Sequence, residues 1–147
     1  MSAKTVAIAC DHAGFNLKSV LKQDLEDLGY TPLDLGTNGP ESVDYPDFGQ
    51  ALGEAIADGR ADMGVLVCGS GIGISIAANR NPAVRAAVVT NSLTAQLSRQ
   101  HNDANVVCFG ERLVGSEIAR NAMKVFLETE FEGGRHARRV DKLSVTP

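Results

Sequence analysis

The chain alternates short apolar runs with longer stretches in which apolar residues recur at helical spacing. A short apolar run bounded by turn residues predicts a buried strand, whereas recurrence at i, i+3 and i+4 predicts an amphipathic helix. The predicted strands are residues 5–9, 31–35, 63–67, 85–89 and 105–109. A helical stretch follows each strand, and the predicted apolar stripes are Leu17, Val20, Leu21, Leu25 and Leu28; Phe48, Ala51, Leu52, Ala55 and Ile56; Ile72, Ile76 and Ala77; Leu93 and Leu97; and Ile118, Ala122, Met123, Phe126 and Leu127.

Strands that alternate with helices are typical of the α/β class. We therefore predict a Rossmann-like, three-layer α/β/α sandwich around a five-stranded, mostly parallel sheet, with right-handed crossovers. Pro32 has no N–H to donate to a neighbouring strand, so we expect the second strand at an edge of the sheet. The 147 residues suffice for one domain with a sizeable core, and we predict a single domain over residues 1–147.

Cap and breaker residues mark the expected helix ends. The predicted N-caps are Asp47, Ser92 and Ser116, and the predicted stops are Gly29, Gly59 and the Gly133-Gly134 pair. Residues 36–46 form the longest predicted loop, and loops of that length are often functional. Residues 133–147 read as a basic C-terminal segment whose apolar anchors are Val140 and Leu143.

Composition narrows the class of protein. The net charge of −4 disfavours general binding to nucleic acid. No apolar run approaches the ~18 residues that span a bilayer, and the first residues, Met-Ser-Ala-Lys-Thr, lack the apolar core of a signal peptide. Three cysteines, an odd number, argue against a disulfide framework. We therefore expect a cytoplasmic protein without a membrane partner.

A glycine-rich loop after the third strand is the strongest chemical signal. Cys68 ends the strand, and Gly69, Ser70, Gly71 and Gly73 follow before the next helix. Backbone N–H groups at a helix N-terminus favour negative charge, so the Cys68 thiol is expected to ionise more readily than a free thiol. The alternative is that Cys68 is a small core residue, which is the commoner role of a buried cysteine.

Better-known glycine motifs do not fit this loop. A phosphate-binding P-loop needs Gly-Lys-Ser/Thr, but residues 62–79 contain no lysine. The dinucleotide fingerprint needs its third glycine where Ile74 stands. A cysteine-phosphatase loop would need an arginine at that same position. The loop is therefore suited to a small anion or an oxyanion.

Polar residues follow the first, third and fifth strands, whose carboxyl ends should meet at one edge of the sheet. They are Asp11 and His12, Cys68 and Ser70, and Arg112. Asp11 and His12 could be an acid–base and anion-binding pair. They could equally be a helix cap beside a solvated histidine.

Two further pairs of residues, His101–Asn102 and Arg135–Arg139, could take part in the chemistry. His101 and Asn102 lie at a polar junction between helix and strand, where a histidine can simply complement the helix dipole. Arg135 and Arg139 share a face if the tail is helical, and could clamp a phosphate or remain a solvated basic tail. We predict no metal site, because the chain has neither Cys-x-x-Cys nor His-x-x-x-His.

Five blocks resemble the type B ribose-5-phosphate isomerases, a family that also contains galactose-6-phosphate isomerase subunits and allose-6-phosphate isomerases. The blocks are Asp-His-Ala-Gly at 11–14, Asp-Tyr-Pro at 44–46, Cys-Gly-Ser-Gly-Ile-Gly-Ile-Ser-Ile-Ala-Ala-Asn at 68–79, Ser-Arg-Gln-His-Asn-Asp at 98–103 and Glu-Gly-Gly-Arg-His-Ala-Arg-Arg at 132–139. The resemblance implies an aldose–ketose isomerase of the pentose phosphate pathway that acts on a sugar phosphate through a cis-enediolate, with no metal or cofactor. It also implies a homodimer or dimer of dimers with shared sites, and residues 133–147 at a subunit interface.

The same resemblance implies roles for individual residues. Cys68 resembles the base that moves the proton, and Ser70 with the loop amides resembles the group that stabilises the enediolate. Some members use a glutamate in the following helix, where this chain has Ser75 and Ile76. His101, with Asp11, resembles the group that opens the sugar ring. The implied substrate-binding residues are His12, Tyr45, Gly69, Gly71, Ile72, Gly73, Asn102, Arg112, Arg135 and Arg139.

Three alternatives remain open from the sequence. The substrate could be a hexose 6-phosphate, allose or galactose 6-phosphate, on the same site. The chain could be a non-catalytic flavodoxin-like module that binds anions. A thiol redox role would need Cys68 to lie against Cys10 or Cys108.

Overall fold

A computed structural model describes residues 4–144; residues 1–3 and residues 145–147, the end of the predicted basic segment, lie outside the described range. Within that range the chain forms five strands, six α-helices and a short 3-10 turn. The elements are β1 Thr5–Cys10, the turn His12–Gly14, α1 Phe15–Asp27, β2 Thr31–Asp34, α2 Tyr45–Ala57, β3 Met63–Cys68, α3 Ile72–Asn79, β4 Ala86–Val88, α4 Ser92–Asn102, β5 Val106–Gly110, α5 Ser116–Glu128 and α6 Arg135–Leu143.

The sheet is parallel throughout, which confirms the predicted α/β class. The strand order is β2-β1-β3-β5-β4, and each neighbouring pair runs parallel. β2 lies at an edge, as Pro32 predicted. The chain moves outward in opposite directions from β1, to β2 on one side and to β3 on the other, so β1 and β3 flank a topological switch point. Open α/β sheets bind ligands outside the strand carboxyl ends at such a point.

Alternate residues of the strands pack against two separate helical layers. Ile8 and Val65 join a cluster that includes Leu21 of α1 and Met123 of α5. Leu66 and Cys68 join a second cluster on the opposite face, with helices α2 and α3. The three-layer sandwich predicted from the sequence is therefore present. Among residues 4–144, no helix combines the length and apolar character needed to cross a membrane.

The apolar stripes predicted for the helices are partly wrong. Leu93 and Leu97 were expected to face inward, but they are 58% and 37% exposed. α4 instead buries Ala95, Ser98 and Arg99. The Arg99 guanidinium donates to the carbonyl oxygens of Thr129 and Ala104 and pairs with Asp103, so a hydrogen-bonded polar side chain occupies the inner face. Further stripe or anchor residues that prove to be exposed are Val20, Leu28, Ile72, Ile76, Ile118 and Leu143.

The predicted N-caps are also wrong, by one to three positions. α2 begins at Tyr45 after Asp44, so Tyr45 is helical and not part of the loop, and Asp47 lies in the first turn. Asn91 caps α4 by accepting the Thr94 N–H at 2.8 Å. Gly115 precedes α5, where no side chain caps the helix. Ser92 and Ser116 are first helical residues rather than caps. Several residues able to cap stand side by side here, and local sequence does not distinguish them.

Lys18 is a buried charged residue that the spacing of apolar residues in α1 did not predict. Its side chain is 2% exposed and lies on the inner side of α1. The Nζ atom donates to Asp34 Oδ1 and the Thr37 carbonyl oxygen, both at 2.7 Å, and to Asn38 Oδ1 at 3.2 Å. This fully bonded ammonium group ties the start of the long loop to α1.

Candidate active site

An open cleft with a volume of ≈ 510 Å³ lies at the carboxyl edge of β1, β3 and β5. This is the edge at which the sequence predicted the polar residues to converge. The lining residues are Asp11, His12, Ala13, Tyr45, Cys68, Gly69, Ser70, Ile72, Gly73, Arg112 and Leu113. Nine of the predicted site residues thus line one cleft, from turns far apart in the sequence.

Cys68 ends β3 with its sulfur directed at the start of α3. Its Sγ atom accepts a hydrogen bond from the Gly71 N–H at 3.1 Å, and the residue is 4% exposed. Gly71 has φ of 78°, and a Cβ there would lie 2.9 Å from the Phe109 carbonyl carbon, so only glycine fits. The Ser70 hydroxyl oxygen accepts the Ile72 N–H at 3.2 Å. A sulfur and a hydroxyl therefore stand at the positive end of a helix.

The turn after β5 is packed against this loop, backbone on backbone. The Arg112 N–H donates to the Gly69 carbonyl oxygen at 3.1 Å, and a Cβ on Gly69 would lie 3.2 Å from Arg112 Nη1. A Cβ on Gly110 would lie 2.6 Å from the Ser70 carbonyl carbon. Arg112 consequently places its positive charge over the glycine loop. Glu111 holds the same turn to α1 by accepting the Leu17 N–H at 2.6 Å, a contact that spacing does not predict.

Asp11 is both a cap and a lining residue of the cleft. Its Oδ1 atom accepts the N–H groups of Ala13 and Gly14 at 3.0 and 3.1 Å, as the capping alternative predicted. The side chain also faces the cleft while the residue is only 6% exposed. One carboxylate oxygen fixes the turn, and the group as a whole adds negative charge beside Cys68.

His12 is anchored rather than freely solvated. Its Nδ1 atom accepts the backbone N–H of Val43 at 3.1 Å, which connects the first turn to the long loop. A ring nitrogen that accepts a hydrogen bond carries no proton, so the bonding assigns the ring proton of neutral His12 to Nε2. The free Nε2–H is a donor for a ligand in the cleft.

Tyr45 covers the start of α3. It is 42% exposed, and a Cβ on Gly73 would lie 2.6 Å from its ring Cε1 atom. The absence of a side chain at Gly73 is therefore what lets the tyrosine ring approach the glycine loop. Tyr45 thereby lines the cleft beside the glycine loop.

The remaining predicted residues lie elsewhere in the same chain. α4 ends at Asn102 and β5 begins at Val106, with three residues between them, so His101 and Asn102 stand at the amino edge of the sheet. The cleft is at the carboxyl edge. Asn102 borders a different groove with Asn79 and Leu143. Arg135 and Arg139 are exposed on α6, which packs against α4. A single chain therefore holds the predicted site in two separated halves.

His101 has a partner that the sequence reasoning missed. The rings of His101 and His136 are stacked, with centroids 4.4 Å apart and planes 15° from parallel. His136 Nε2 lies 3.5 Å from Glu132 Oε1, and a ligand atom of each of the three residues lies within 4.8 Å of the others. A metal lies in the plane of each imidazole that binds it, and nearly parallel planes do not meet close to the rings. Joint metal binding therefore needs one ring to turn.

The other two cysteines are buried thiols with raised pKa values. All three thiols are free. Burial raises the pKa of Cys10 to about 12, against smaller lowering effects of Lys18 and the Thr37 backbone. Burial, and then the neighbouring Cys68, also raise the pKa of Cys108. Both stay protonated near neutral pH, so the redox alternative gains no second thiolate.

Comparisons with family models, known sequences and solved structures all indicate the same family. Residues 6–143 match the family model described as Ribose/Galactose Isomerase. Ribose-5-phosphate isomerase B of Escherichia coli is 45% identical, with 96% of this chain and 95% of that protein covered. A probable ribose-5-phosphate isomerase B of Mycoplasma pneumoniae is 40% identical, with 94% and 91% covered. The solved structure of Clostridium thermocellum ribose-5-phosphate isomerase B superposes with a TM-score of 0.94 at 51% identity, with 95% of each chain covered.

Proposed function

The chain belongs to the ribose/galactose isomerase family, and we propose that it interconverts D-ribose 5-phosphate and D-ribulose 5-phosphate, with no metal or cofactor. Relatives named ribose-5-phosphate isomerase B match this chain over nearly their whole length. One observation carries the chemical assignment: the Cys68 sulfur meets the N-terminus of α3 in a cleft lined by residues from three strand ends.

Cys68 acts as the base in this proposal. Its thiolate takes the proton from C2 of the open-chain aldose, and the electron pair of that C–H bond forms the C1–C2 double bond of a cis-enediolate. The former carbonyl oxygen at C1 takes up the negative charge, and the hydroxyl proton of O2 passes to O1. The proton held by the sulfur then returns to C1, which leaves the carbonyl group at C2. The Gly71 N–H donates to the sulfur at 3.1 Å, so the atom that takes the proton is held at the N-terminus of α3.

Ser70 and the amides of the glycine loop stabilise the enediolate oxygens. The Ser70 hydroxyl already accepts the Ile72 N–H, so its own proton is free for the substrate. Donors that are held in place before the reaction lower the barrier by about 2.7–4 kcal/mol each in comparable oxyanion sites. The backbone packs so closely at Gly71 and Gly110 that neither position has room for a side chain.

Ring opening requires the second half of the site, and we assign it to another copy of the chain. His101, with Asp11, transfers protons so that the anomeric hydroxyl loses one and the ring oxygen gains one as the C1–O bond breaks. His101 lies at the edge of the sheet opposite Cys68, so the two cannot act on one sugar within a chain. A two-fold dimer brings one surface patch against a different one twice, which would unite both halves.

Exposed apolar side chains support that assembly. Ile72 and Leu113 flank the cleft and are 52% and 67% exposed, whereas Leu93 and Leu97 are exposed on α4 beside the other half-site. Large apolar residues exposed in both places are suited to burial between subunits. We therefore propose a homodimer, or a dimer of dimers, with residues 133–147 at the interface.

The phosphate group is assigned to arginine and histidine side chains. Arg135 and Arg139 lie one helical turn apart on α6, and Arg112 and His12 are in the cleft. Arginine pairs well with phosphate because its planar group can donate two parallel hydrogen bonds. Asn102 and Tyr45 are assigned to sugar hydroxyls. This chemistry belongs to the pentose phosphate pathway, and we propose the cytoplasm as its location.

The test is conversion of ribose 5-phosphate to ribulose 5-phosphate by the purified chain, with and without EDTA. Allose 6-phosphate and galactose 6-phosphate are assayed in parallel. Chelator-resistant turnover that is fastest on ribose 5-phosphate supports the proposal. Faster turnover of a hexose 6-phosphate assigns the site to the larger sugar, and stabilisation by a nucleotide without any turnover would contradict isomerase activity.

A further inference from the structure

The His101 imidazole is packed against a second imidazole for which the reaction itself has no role. His101 is the penultimate residue of α4 and is partly exposed, whereas His136 is the second residue of α6 and is 7% exposed. Their stacked rings, 4.4 Å apart at the centroids, are the contact through which α6 reaches the end of α4 at this point. The buried ring therefore supports one face of the partly exposed ring.

Glu132 fixes the supporting ring in place. Its carboxylate Oε1 lies 3.5 Å from His136 Nε2, and its backbone N–H donates to the Gln100 carbonyl oxygen at 3.1 Å. The His136 N–H in turn donates to the Gly133 carbonyl oxygen at 3.0 Å. Gln100 directly precedes His101. Glu132 and His136 are thus tied, through backbone and side chain, to the turn of α4 that carries His101.

The charges around the stack favour a neutral supporting ring. Burial lowers the pKa of His136, and the positive groups that face it, on His101, Arg135 and Arg139, lower it further, while Glu132 opposes them. His101 belongs to α4, Arg135 and Arg139 to α6, and Glu132 to the segment between α5 and α6. A neutral ring can stack on His101 without repelling a proton that His101 gains or gives up during ring opening.

We propose that His136, held by Glu132, is a positioning residue that sets the orientation of the His101 ring for opening the sugar. This inference rests on the proposed isomerase function. It assigns His136 no contact with the substrate. The stacked face prevents His101 from turning toward solvent, because any rotation out of the stack separates the two rings and exposes the buried one.

A pair of assays separates ring opening from enolisation. Ribulose 5-phosphate cannot form a furanose because its 5-hydroxyl is esterified, so exchange of its C1 proton with D₂O reports enolisation alone. Turnover of ribose 5-phosphate, which is mainly cyclic, also requires ring opening. A defect in His101 orientation should slow turnover of ribose 5-phosphate and spare the exchange.

The variants are His136→Ala, which removes the supporting face, and His136→Phe, which keeps an aromatic face without the nitrogens. We expect His136→Ala to lower kcat on ribose 5-phosphate by about tenfold, part of the ~10²–10⁴-fold that a positioned proton donor contributes. In His136→Ala, proton exchange into ribulose 5-phosphate should change by less than about twofold, because enolisation is not affected. His136→Phe should recover most of the lost turnover, because the phenylalanine ring can still stack on His101. Lys124→Ala, exposed on α5 and outside residues 133–147, is the control.

Equal loss of turnover and exchange in His136→Ala would show a general structural role and overturn the inference, as would unchanged turnover. If His136→Ala does not fold, His136→Phe and Glu132→Gln test the inference instead. Loss of turnover in His136→Phe would contradict a role for the aromatic face, and unchanged turnover in Glu132→Gln would contradict the role of Glu132 in holding it. A wild-type chain with neither turnover nor exchange would instead contradict the proposed function. The two failures are therefore distinguishable.

Discussion

Cys68 and His101 lie at opposite edges of the same parallel sheet, one at the end of β3 and the other near the end of α4. Each has its own set of positioning contacts, the Gly71 N–H for the sulfur and the His136 ring for the imidazole. In the proposed function these two groups belong to separate half-sites of one chain. The predictions below test each half and the way they combine.

Replacement of Cys68 by alanine should abolish turnover while substrate binding largely survives. A general base contributes roughly 10²–10⁴-fold to rate, so kcat should fall by at least about 10²-fold. Steady-state kinetics and calorimetric binding of ribose 5-phosphate measure the two effects. Cys108→Ala is the matched control, because that thiol is buried on the neighbouring strand outside the cleft. Unchanged turnover in Cys68→Ala would exclude the assigned base.

Mixed dimers should restore activity between two inactive chains. Cys68→Ala and His101→Ala damage different halves, so a hybrid dimer keeps one site built from two intact halves. Random mixing makes half of the dimers hybrid, so we expect about a quarter of wild-type turnover after co-expression. No recovery, despite hybrid dimers that are detected by mass spectrometry, would mean that the halves do not combine across subunits.

Gly110→Ala should destabilise the protein and lower its activity. The added Cβ would lie 2.6 Å from the Ser70 carbonyl carbon, and backbone atoms cannot move aside as a flexible side chain can. We expect a loss of about 1–3 kcal/mol in the free energy of unfolding, measured by urea denaturation. Gly115→Ala, where nothing lies within 4 Å of the added atom, should leave both stability and turnover near wild type. A similar small effect in both variants would refute the close packing of the two loops.

Lys18→Met should destabilise the chain by about 3–5 kcal/mol, because it leaves the Asp34 carboxylate without its buried partner. Lys22 bonds the same carboxylate at 3.2 Å but is 39% exposed. Lys22→Met should therefore cost only about 0–1 kcal/mol. Denaturant unfolding of both variants makes the comparison. Equal losses in the free energy of unfolding would contradict the larger contribution expected from the buried Lys18–Asp34 pair.

Asp34 should make the protein sensitive to acid. Burial alone would raise the pKa of this carboxyl, but hydrogen bonds from Lys18, the Gly36 N–H and Lys22 outweigh burial and lower it. The folded pKa is therefore below the unfolded value of about 4, so the unfolded state binds the proton more readily. The stabilisation is present above pH ~4 and is lost as the pH falls through the folded pKa. Unfolding of Asp34→Asn between pH 2 and 6 should have a shallower pH slope than wild type.

Much of the cleft could be predicted before the structure. The residues that follow β1, β3 and β5 converge because the ends of parallel strands share one edge of a sheet. Asp11, Cys68 and Arg112 therefore meet in the cleft as expected. The structure also shows that Asp11 caps a turn and lines the cleft at once.

The sequence predicted less well which face of each helix is buried and which polar side chains are buried with it. Leu93 and Leu97 have the spacing of core residues, yet Arg99 occupies the inner face of α4 because backbone carbonyl oxygens and Asp103 satisfy its charge. Lys18 is buried for the same reason. Each partner set comes from a distant segment, so spacing within one helix does not reveal it.

The sequence by itself determined the elements, the parallel sheet and the glycine loop that carries Cys68, because apolar period and backbone conformation are local properties. Only the tertiary structure decided that His12 accepts the Val43 N–H, that His136 stacks on His101, and that the two half-sites lie at opposite edges of the sheet. These relationships depend on how separate segments pack. Contacts of that kind arise when burial and hydrogen bonding across the whole chain are satisfied together.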